Sequence, residues 1–230
     1  MDERIASSVL YMLHEVGMTA DSNTEQHHNG RYPVTSLYFD SPFLSDYQDK
    51  AGGFINRKKI RVRIYTPVLT NTTPEIWLEK KEKYDMRVSK KRVRLTHEDY
   101  KALIDESYAH LLRRSESTRY GTEILHTIIR QQMRPRAIVR YDRTPLVSKS
   151  FSDLRITIDS RIEACLAEDM WYTPSMIFVT PHTTVMEVKF SRIIPPWFRQ
   201  IRDHHNLVRT AFSKYANSLE AMHRYYPIPR

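Results

Sequence analysis

Arg61 and Arg63 stand one residue apart in the run Ile60–Tyr65, whose remaining positions include Ile60, Val62 and Ile64. A strand points successive side chains to opposite faces. This run therefore predicts one apolar face and one charged face carrying Lys59, Arg61, Arg63 and Tyr65. The pattern recurs. Ile76 and Leu78 oppose Trp77, Glu79, Lys81 and Lys83, and Lys90, Arg92 and Arg94 share a single parity. Leu154, Ile156 and Ile158 oppose Arg155, Thr157 and Asp159, while Met186, Val188 and Phe190 oppose Glu187 and Lys189. Of the charged residues on this parity expected to lie near one another, Arg61, Arg63, Lys81, Lys90, Arg92, Arg155 and Lys189 are positive and Glu79 and Glu187 negative. A solvated sheet face normally mixes signs, because like charges directly opposite one another destabilise a sheet. If such a face curls inward, the cations need an anionic partner to offset desolvation. Phosphates fit that need, since Arg offers them a bidentate fork and Lys a compact charge. Glu79 and Glu187 admit two readings. Each neutralises a neighbour, or together they supply the one or two carboxylates with which Mg²⁺ or Mn²⁺ is held alongside phosphate oxygens and water.

The elements that must carry these residues are legible as strands and helices. Strand signals cover Val34–Phe39, Lys59–Tyr65, Glu75–Asp85, Val88–Leu95, Arg136–Arg143, Leu154–Asp159 and Thr184–Phe190, with antiparallel hairpins near Asp85. Residues 2–17 predict an amphipathic helix with Ile5, Val9, Met12, Leu13 and Val16 on one face. Asp21 to Tyr32 is polar and reads as a loop. Thr96, with Asp99 three positions on, predicts a capped helical block to about Arg113. Another block runs from Glu116 to Gln132, stopped by Pro135, and Pro196 to about Tyr225 reads as two helices. The pattern is α+β. With no low-complexity linker and no detected repeat, residues 1–230 are expected to form a single domain.

Composition narrows the partners. Lys and Arg total 36 against 27 Asp and Glu, a formal charge of +9, which points to a polyanion. The single cysteine, Cys165, excludes an intrachain disulfide and suits a reducing, cytoplasmic setting as a structural or surface thiol. No apolar run reaches the roughly 18 residues of a membrane span, and MDERIASSVL lacks the pattern of a signal peptide. There is no GxxxxGK[ST] loop, GxGxxG, GxSxG or Cys–His zinc spacing. The pairs His27–His28 and His204–His205 are adjacent and so do not converge on one metal. The helix carrying Arg199, Arg202, His204 and Arg209 reads as a solvated face, with contact to an emerging polyphosphate or an anionic membrane as the alternative.

Eight strings, VTSLYFD (34–40), RKKIRVRIY (57–65), LEKKEK (78–83), VSKKRV (88–93), PRAIVRYDR (135–143), RITID (155–159), VMEVKF (185–190) and FSKY (212–215), occur in the order found in the VTC domain. The chain thus resembles the polyphosphate polymerase domain of the vacuolar transporter chaperone complex, one of the triphosphate tunnel metalloenzymes, over about residues 34–215. The resemblance implies an antiparallel β-barrel tunnel with helices packed outside. It also implies metal-dependent transfer of the terminal phosphoryl group of ATP onto a growing polyphosphate chain; members of the wider superfamily hydrolyse triphosphates instead. Position by position, Arg61 and Arg63 match the phosphate-gripping RxR, Lys81 the ExK strand, and Lys90 and Arg92 the KxR strand. Arg143 matches YxR and Arg155 the RITID arginine. Glu187 matches the metal-binding Glu of EVK with Lys189 beside it, and Lys214 matches the FSKY lysine. Glu79 is the second expected metal carboxylate, and the implied cofactor is Mn²⁺ or Mg²⁺. One feature departs from the family pattern: members open on a strand bearing a basic ExKY-type motif, and here no such strand precedes Ile5.

Polymerase activity is the leading expectation, with ATP, triphosphate or inorganic polyphosphate as ligands. Two rivals share the same residues: a tripolyphosphatase or nucleoside triphosphatase, and a non-catalytic polyphosphate-binding module serving a membrane-protein or regulatory partner. Nucleic acid is not expected, because the basic residues follow one strand parity with few aromatics interleaved.

Overall fold

The computed structural model describes residues 1–24, 30–85, 87–115, 119–148, 153–172, 174–191 and 193–224. The His27–His28 pair and the expected start of a helix at Glu116 lie outside them. Among the described residues seven α-helices accompany a nine-stranded sheet. Its hydrogen-bonded order is β5-β4-β3-β2-β6-β7-β8, with β1 pairing β6 and β9 pairing β7. The strands are β1 (Met18–Ala20), β2 (Tyr32–Asp40), β3 (Asn56–Ile64), β4 (Ile76–Tyr84), β5 (Arg87–Leu95), β6 (Arg134–Ser148), β7 (Arg155–Leu166), β8 (Ile177–Phe178) and β9 (Val185–Lys189). The pairs β1–β6, β2–β3, β3–β4, β4–β5, β7–β8 and β7–β9 are antiparallel. The α+β antiparallel class is the one expected. The chain divides into two compact units. β6 and β7 each contribute residues to both.

The larger unit comprises residues 34–140, 163–179 and 214–230. Ile60, Val62 and Ile64 of β3 and Ile76 and Leu78 of β4 are buried together with Leu37 and Phe39 of β2. They pack against Tyr100 and Leu103 of α3 (His97–Ile104), Leu111 of α4 (Tyr108–Ser115) and Ile124, Leu125 and Ile128 of α5 (Arg119–Arg130). Each such aliphatic side chain contributes about 1.5–3 kcal/mol on burial. Helices therefore cover the apolar parity of these strands, leaving the charged parity on the other side. Thr96 and Asp99 form the expected capping box at α3. The single block expected to Arg113 is two helices. Glu106 takes a left-handed φ of 57°, and the Ser107 amide returns to the Ala102 carbonyl at 2.8 Å. That is a Schellman ending built without glycine. Lys80 stands on the core parity of β4 yet is only 6% exposed. Its ammonium is held by Glu82 at 2.8 Å, Glu123 at 3.3 Å and Thr127 Oγ1 at 3.2 Å. Cys165 is buried in the same core, which pushes its thiol up to about 11. The helix α2 (Ser45–Ala51), β1 and β8 were not expected from the sequence.

The smaller unit comprises residues 1–33, 141–162 and 180–213. Val9 and Leu13 of α1 (Glu3–Glu15) are buried with Met18, Leu146, Leu154, Ile156 and Ile158, and with Phe198 and Ile201 of α6 (Pro196–His204). Asp2 caps α1 by accepting from the Arg4 amide at 2.8 Å, and it forms an isolated bridge with Thr183. The first element is a helix, as the sequence indicated. The second of the two C-terminal helices, α7 (Lys214–His223), belongs to the larger unit.

Candidate phosphate-binding site

In the larger unit the register of β2 to β5 lines the charged side chains into rungs. Lys59 is opposite Lys81, and Lys81 is opposite Lys90, so three ammonium groups share one rung. The next rung reads Tyr38–Arg61–Glu79–Arg92, and the one after it Ser36–Arg63–Trp77–Arg94. Arg61, Arg63, Lys81, Lys90, Arg92 and Glu79, six of the residues singled out from sequence, therefore lie on one face. Lys214 is the first residue of α7 in the same unit and is half-buried.

Glu79 is the counter-ion at the centre. It is 1% exposed. Its Oε2 accepts from Arg61 Nε at 2.9 Å and Nη2 at 2.7 Å, with Arg63 Nη1 at 3.9 Å, and Lys90 Nζ stands 2.6 Å from Oε1. Burial alone would raise its carboxyl, but Arg61, Arg63 and Lys90 outweigh it and hold the group at about 2. One carboxylate thus serves three cations on a face that also carries Lys59, Lys81 and Arg92. Burial, reinforced by Lys81 and Arg61, brings the Lys59 ammonium down to about 8. Arg92 lies 4.4 Å over the Trp77 ring. A cavity of about 800 Å³ opens at the far end of these strands, lined by Asn56, Arg57, Lys83, Tyr84, Arg87 and Ser89 among others.

Tyr38 had not been singled out. It is 4% exposed, stacks on Tyr215 with centroids 4.9 Å apart, and accepts from Arg61 Nη1 at 3.0 Å. Burial opposes ionisation of its phenol, but Arg61, Arg63 and Lys59 prevail and lower it to about 8. Seven successive residues of β2, Val34 to Asp40, are buried. No alternation marked its polar face, and only the parity shared with Ser36 pointed to it.

The smaller unit holds the other four residues. Arg155 of β7 is opposite Lys189 of β9, and Thr157 is opposite Glu187. Arg155 Nη2 meets Asp21 Oδ2 at 2.8 Å. Arg143 grips buried Asp159 in a fork, Nε to Oδ1 at 2.7 Å and Nη2 to Oδ2 at 2.8 Å. Burial disfavours the Arg143 charge, but Asp159 more than restores it and raises the guanidinium further. Sequence reading had not identified Asp21 and Asp159 as these partners. The Glu187 carboxylate is 44% exposed, with Lys189 Nζ at 3.5 Å.

Among the described residues no three His, Cys, Asp or Glu side chains cluster closely enough to cage a metal. An accessible carboxylate such as Glu187 fits a hard cation in one mode, in which phosphate oxygens and water complete the shell. Both Glu79 oxygens, by contrast, are engaged by Arg61 and Lys90.

Comparison with known proteins bears on the fold. A structure of a candidate adenylyl cyclase from Hippeastrum, described as revealing a dominant triphosphatase activity, superposes with a TM-score of 0.52 at 13% identity, covering 93% of this chain and 90% of that one. A Pyrococcus horikoshii protein gives 0.49 at 10% identity, over 94% and 93% of the two chains. A candidate adenylate cyclase from Bacillus halodurans gives 0.47 at 8%, over 90% and 88%. No curated protein matches the chain. The family model of the VTC domain matches residues 5–223. The eight strings and the rungs they form thus lie within one family match, and the chain belongs to the VTC domain family.

Proposed function

We propose that this chain transfers the terminal phosphoryl group of ATP to the end of a growing inorganic polyphosphate, in a reducing, cytoplasmic setting. The observation that carries the reading is the Lys59–Lys81–Lys90 rung beside Arg61–Glu79–Arg92. Like charges directly opposite destabilise a sheet, and a chain of phosphates is the ligand that turns this repulsion into binding. Arg61, Arg63, Lys81, Lys90, Arg92, Arg143, Arg155, Lys189 and Lys214 position phosphates and neutralise transition-state charge. Glu79 holds Arg61 and Lys90 in place. Glu187 is the residue that would hold Mn²⁺ or Mg²⁺, which when bound supplies positive charge to the phosphate oxygens.

Phosphoryl transfer asks the protein mainly for alignment and charge. A terminal polyphosphate oxygen forms a bond to the γ-phosphorus, the bond from that phosphorus to the β–γ bridging oxygen breaks, and ADP leaves with the electron pair. The acceptor is already ionised, so no general base is needed. The test is incubation of the protein with ATP and Mn²⁺, with products resolved by gel. A phosphate ladder is expected. Release of inorganic phosphate alone makes water the acceptor and overturns the polymerase reading. Retained binding without turnover makes the chain a binding module.

A further inference from the structure

We infer that Tyr38 is a positioning residue of the phosphate site, acting through Arg61. This rests on the proposed phosphate site and extends it to a residue on a neighbouring strand. The Arg61 guanidinium is held from two sides. Glu79 Oε2 takes Nε and Nη2 at 2.9 and 2.7 Å, and the Tyr38 hydroxyl takes Nη1 at 3.0 Å. At least three of its five N–H donors are therefore committed within the unliganded protein. Tyr38 is itself fixed, because its ring stacks on Tyr215 of α7 at 4.9 Å with an interplanar angle of 22°. Tyr38 and Arg61 are direct cross-strand partners, so the contact follows from the β2–β3 register. At 4% exposure the phenol is too buried to serve as an open stacking platform for a nucleobase. A long side chain held before binding loses less freedom on meeting its ligand. The phenol also reports on the site electrostatically. Lys59, Arg61 and Arg63 of β3 face it and, against the effect of burial, favour its ionised form, and Tyr215 covers its ring. A polyanion that engages these cations weakens their pull on the phenol.

The experiment compares wild type, Tyr38→Phe, Arg61→Gln and the double variant for tripolyphosphate binding by calorimetry. Tyr38→Phe keeps the ring on Tyr215 and removes only the oxygen. It is expected to weaken binding roughly three- to tenfold when Arg61 is present, the scale of immobilising one long side chain, and to change nothing when Arg61 is Gln. Tyrosinate absorbance gives the second readout: wild type shows an alkaline step near pH 8 that tripolyphosphate moves upward, and Tyr38→Phe lacks it. Equal weakening in both Arg61 backgrounds, or no weakening in either, overturns the inference. If wild type itself fails to bind tripolyphosphate, the proposed function falls; if it binds and Tyr38→Phe binds alike, the role of Tyr38 alone falls.

Discussion

The Tyr215 phenol donates a 2.8 Å hydrogen bond to Oδ2 of Asp40, joining α7 to the end of β2 across 175 positions of sequence. Asp40 is fully buried and accepts in addition from the amides of Ser41 at 2.8 Å, Asp46 at 2.9 Å and Tyr47 at 3.1 Å. Asp46 and Tyr47 lie in the first turn of α2, whose own N-cap, Leu44, provides no side-chain acceptor and carries a left-handed φ of 54°. Asp40 thus caps α2 from a distance, supplying negative charge where the helix amides converge. Burial and the adjacent carboxylate together keep the Tyr215 phenol protonated well above its ordinary range. The same Tyr215 ring supports Tyr38, so α7 braces both α2 and the Tyr38–Arg61 contact.

Tyr215→Phe keeps that ring contact and deletes the bond to a buried carboxylate. It should destabilise the protein by about 1.5–3 kcal/mol, the range for hydrogen bonds to charged groups. Urea unfolding monitored by far-ultraviolet circular dichroism measures this. An unchanged midpoint would show that water replaces the phenol at Asp40.

Period-two alternation made the charged face of β3 to β5 readable, because Ile60, Val62 and Ile64 alternate with Lys59, Arg61 and Arg63 and the same parity continues on β4 and β5, interrupted on its apolar side by Lys80 and Lys91. The same logic was silent where both faces are buried, as on β2, and so it missed Tyr38. It missed α2 because the cap that starts this helix, Asp40, lies outside it in sequence. It missed β1 and β8 because strands of three and two residues are defined by their partners, β6 and β7. The break at Glu106 carries neither Gly nor Pro. Arg155 was marked by strand parity and Arg143 by the resemblance to a family alone, but no spacing rule indicated that Asp21 and Asp159 would hold them.

Glu79→Gln leaves Arg61, Arg63 and Lys90 without their shared counter-ion. Breaking a buried ion pair costs about 3–5 kcal/mol, so the unliganded variant should melt well below wild type. Tripolyphosphate at a hundredfold excess over its dissociation constant adds about 2.7 kcal/mol. It should therefore recover much of the loss, and it should bind the variant at least as tightly as wild type. Calorimetric melting with and without ligand tests both. Failure of the ligand to stabilise the variant would place the anion elsewhere.

Acid should expose the same group. The Glu79 carboxyl lies at about 2 against an ordinary 4.5. A lowered folded-state value gives stability that is present above the unfolded value and is lost as pH falls from about 4.5 towards 2. The difference corresponds to about 3 kcal/mol. The gap in stability between wild type and Glu79→Gln should narrow over that window. A constant gap down to pH 2 would contradict the assignment.

On the alkaline side ligand affinity and stability should move in opposite directions. Tyr38 and Lys59 both lie near 8, below their ordinary values. The unfolded chain therefore holds more protons than the folded one between about pH 8 and 10, and these two groups make unliganded stability rise with pH there. Loss of the pair's first proton removes one positive charge from the site, so tripolyphosphate should weaken by up to about tenfold per pH unit above 8. Calorimetric titrations from pH 7 to about 9.5, within the window these groups span, check this. Affinity that stays flat would mean that neither group faces the bound anion.

The role of Glu187 separates from a simple ion pair by its dependence on metal. If its carboxylate only offsets Lys189, 3.5 Å away, then Glu187→Gln makes the face more positive. Tripolyphosphate should then bind at least as tightly, with Mn²⁺ or without it. If Glu187 is the protein's oxygen ligand to the cation, metal-free binding should survive, because the cations proposed to grip phosphate all remain. The extra affinity conferred by Mn²⁺ should disappear, since a hard cation that relies on one or two carboxylates is poorly fixed when one is lost. Wild type and Glu187→Gln are to be titrated with tripolyphosphate in the presence and absence of Mn²⁺, and Mn²⁺ binding followed separately by its paramagnetic resonance signal. The expected result is unchanged metal-free affinity with Mn²⁺ enhancement reduced by tenfold or more, about 1.4 kcal/mol. Preserved enhancement in the variant would exclude Glu187 as the metal ligand and leave it as the counter-ion of Lys189.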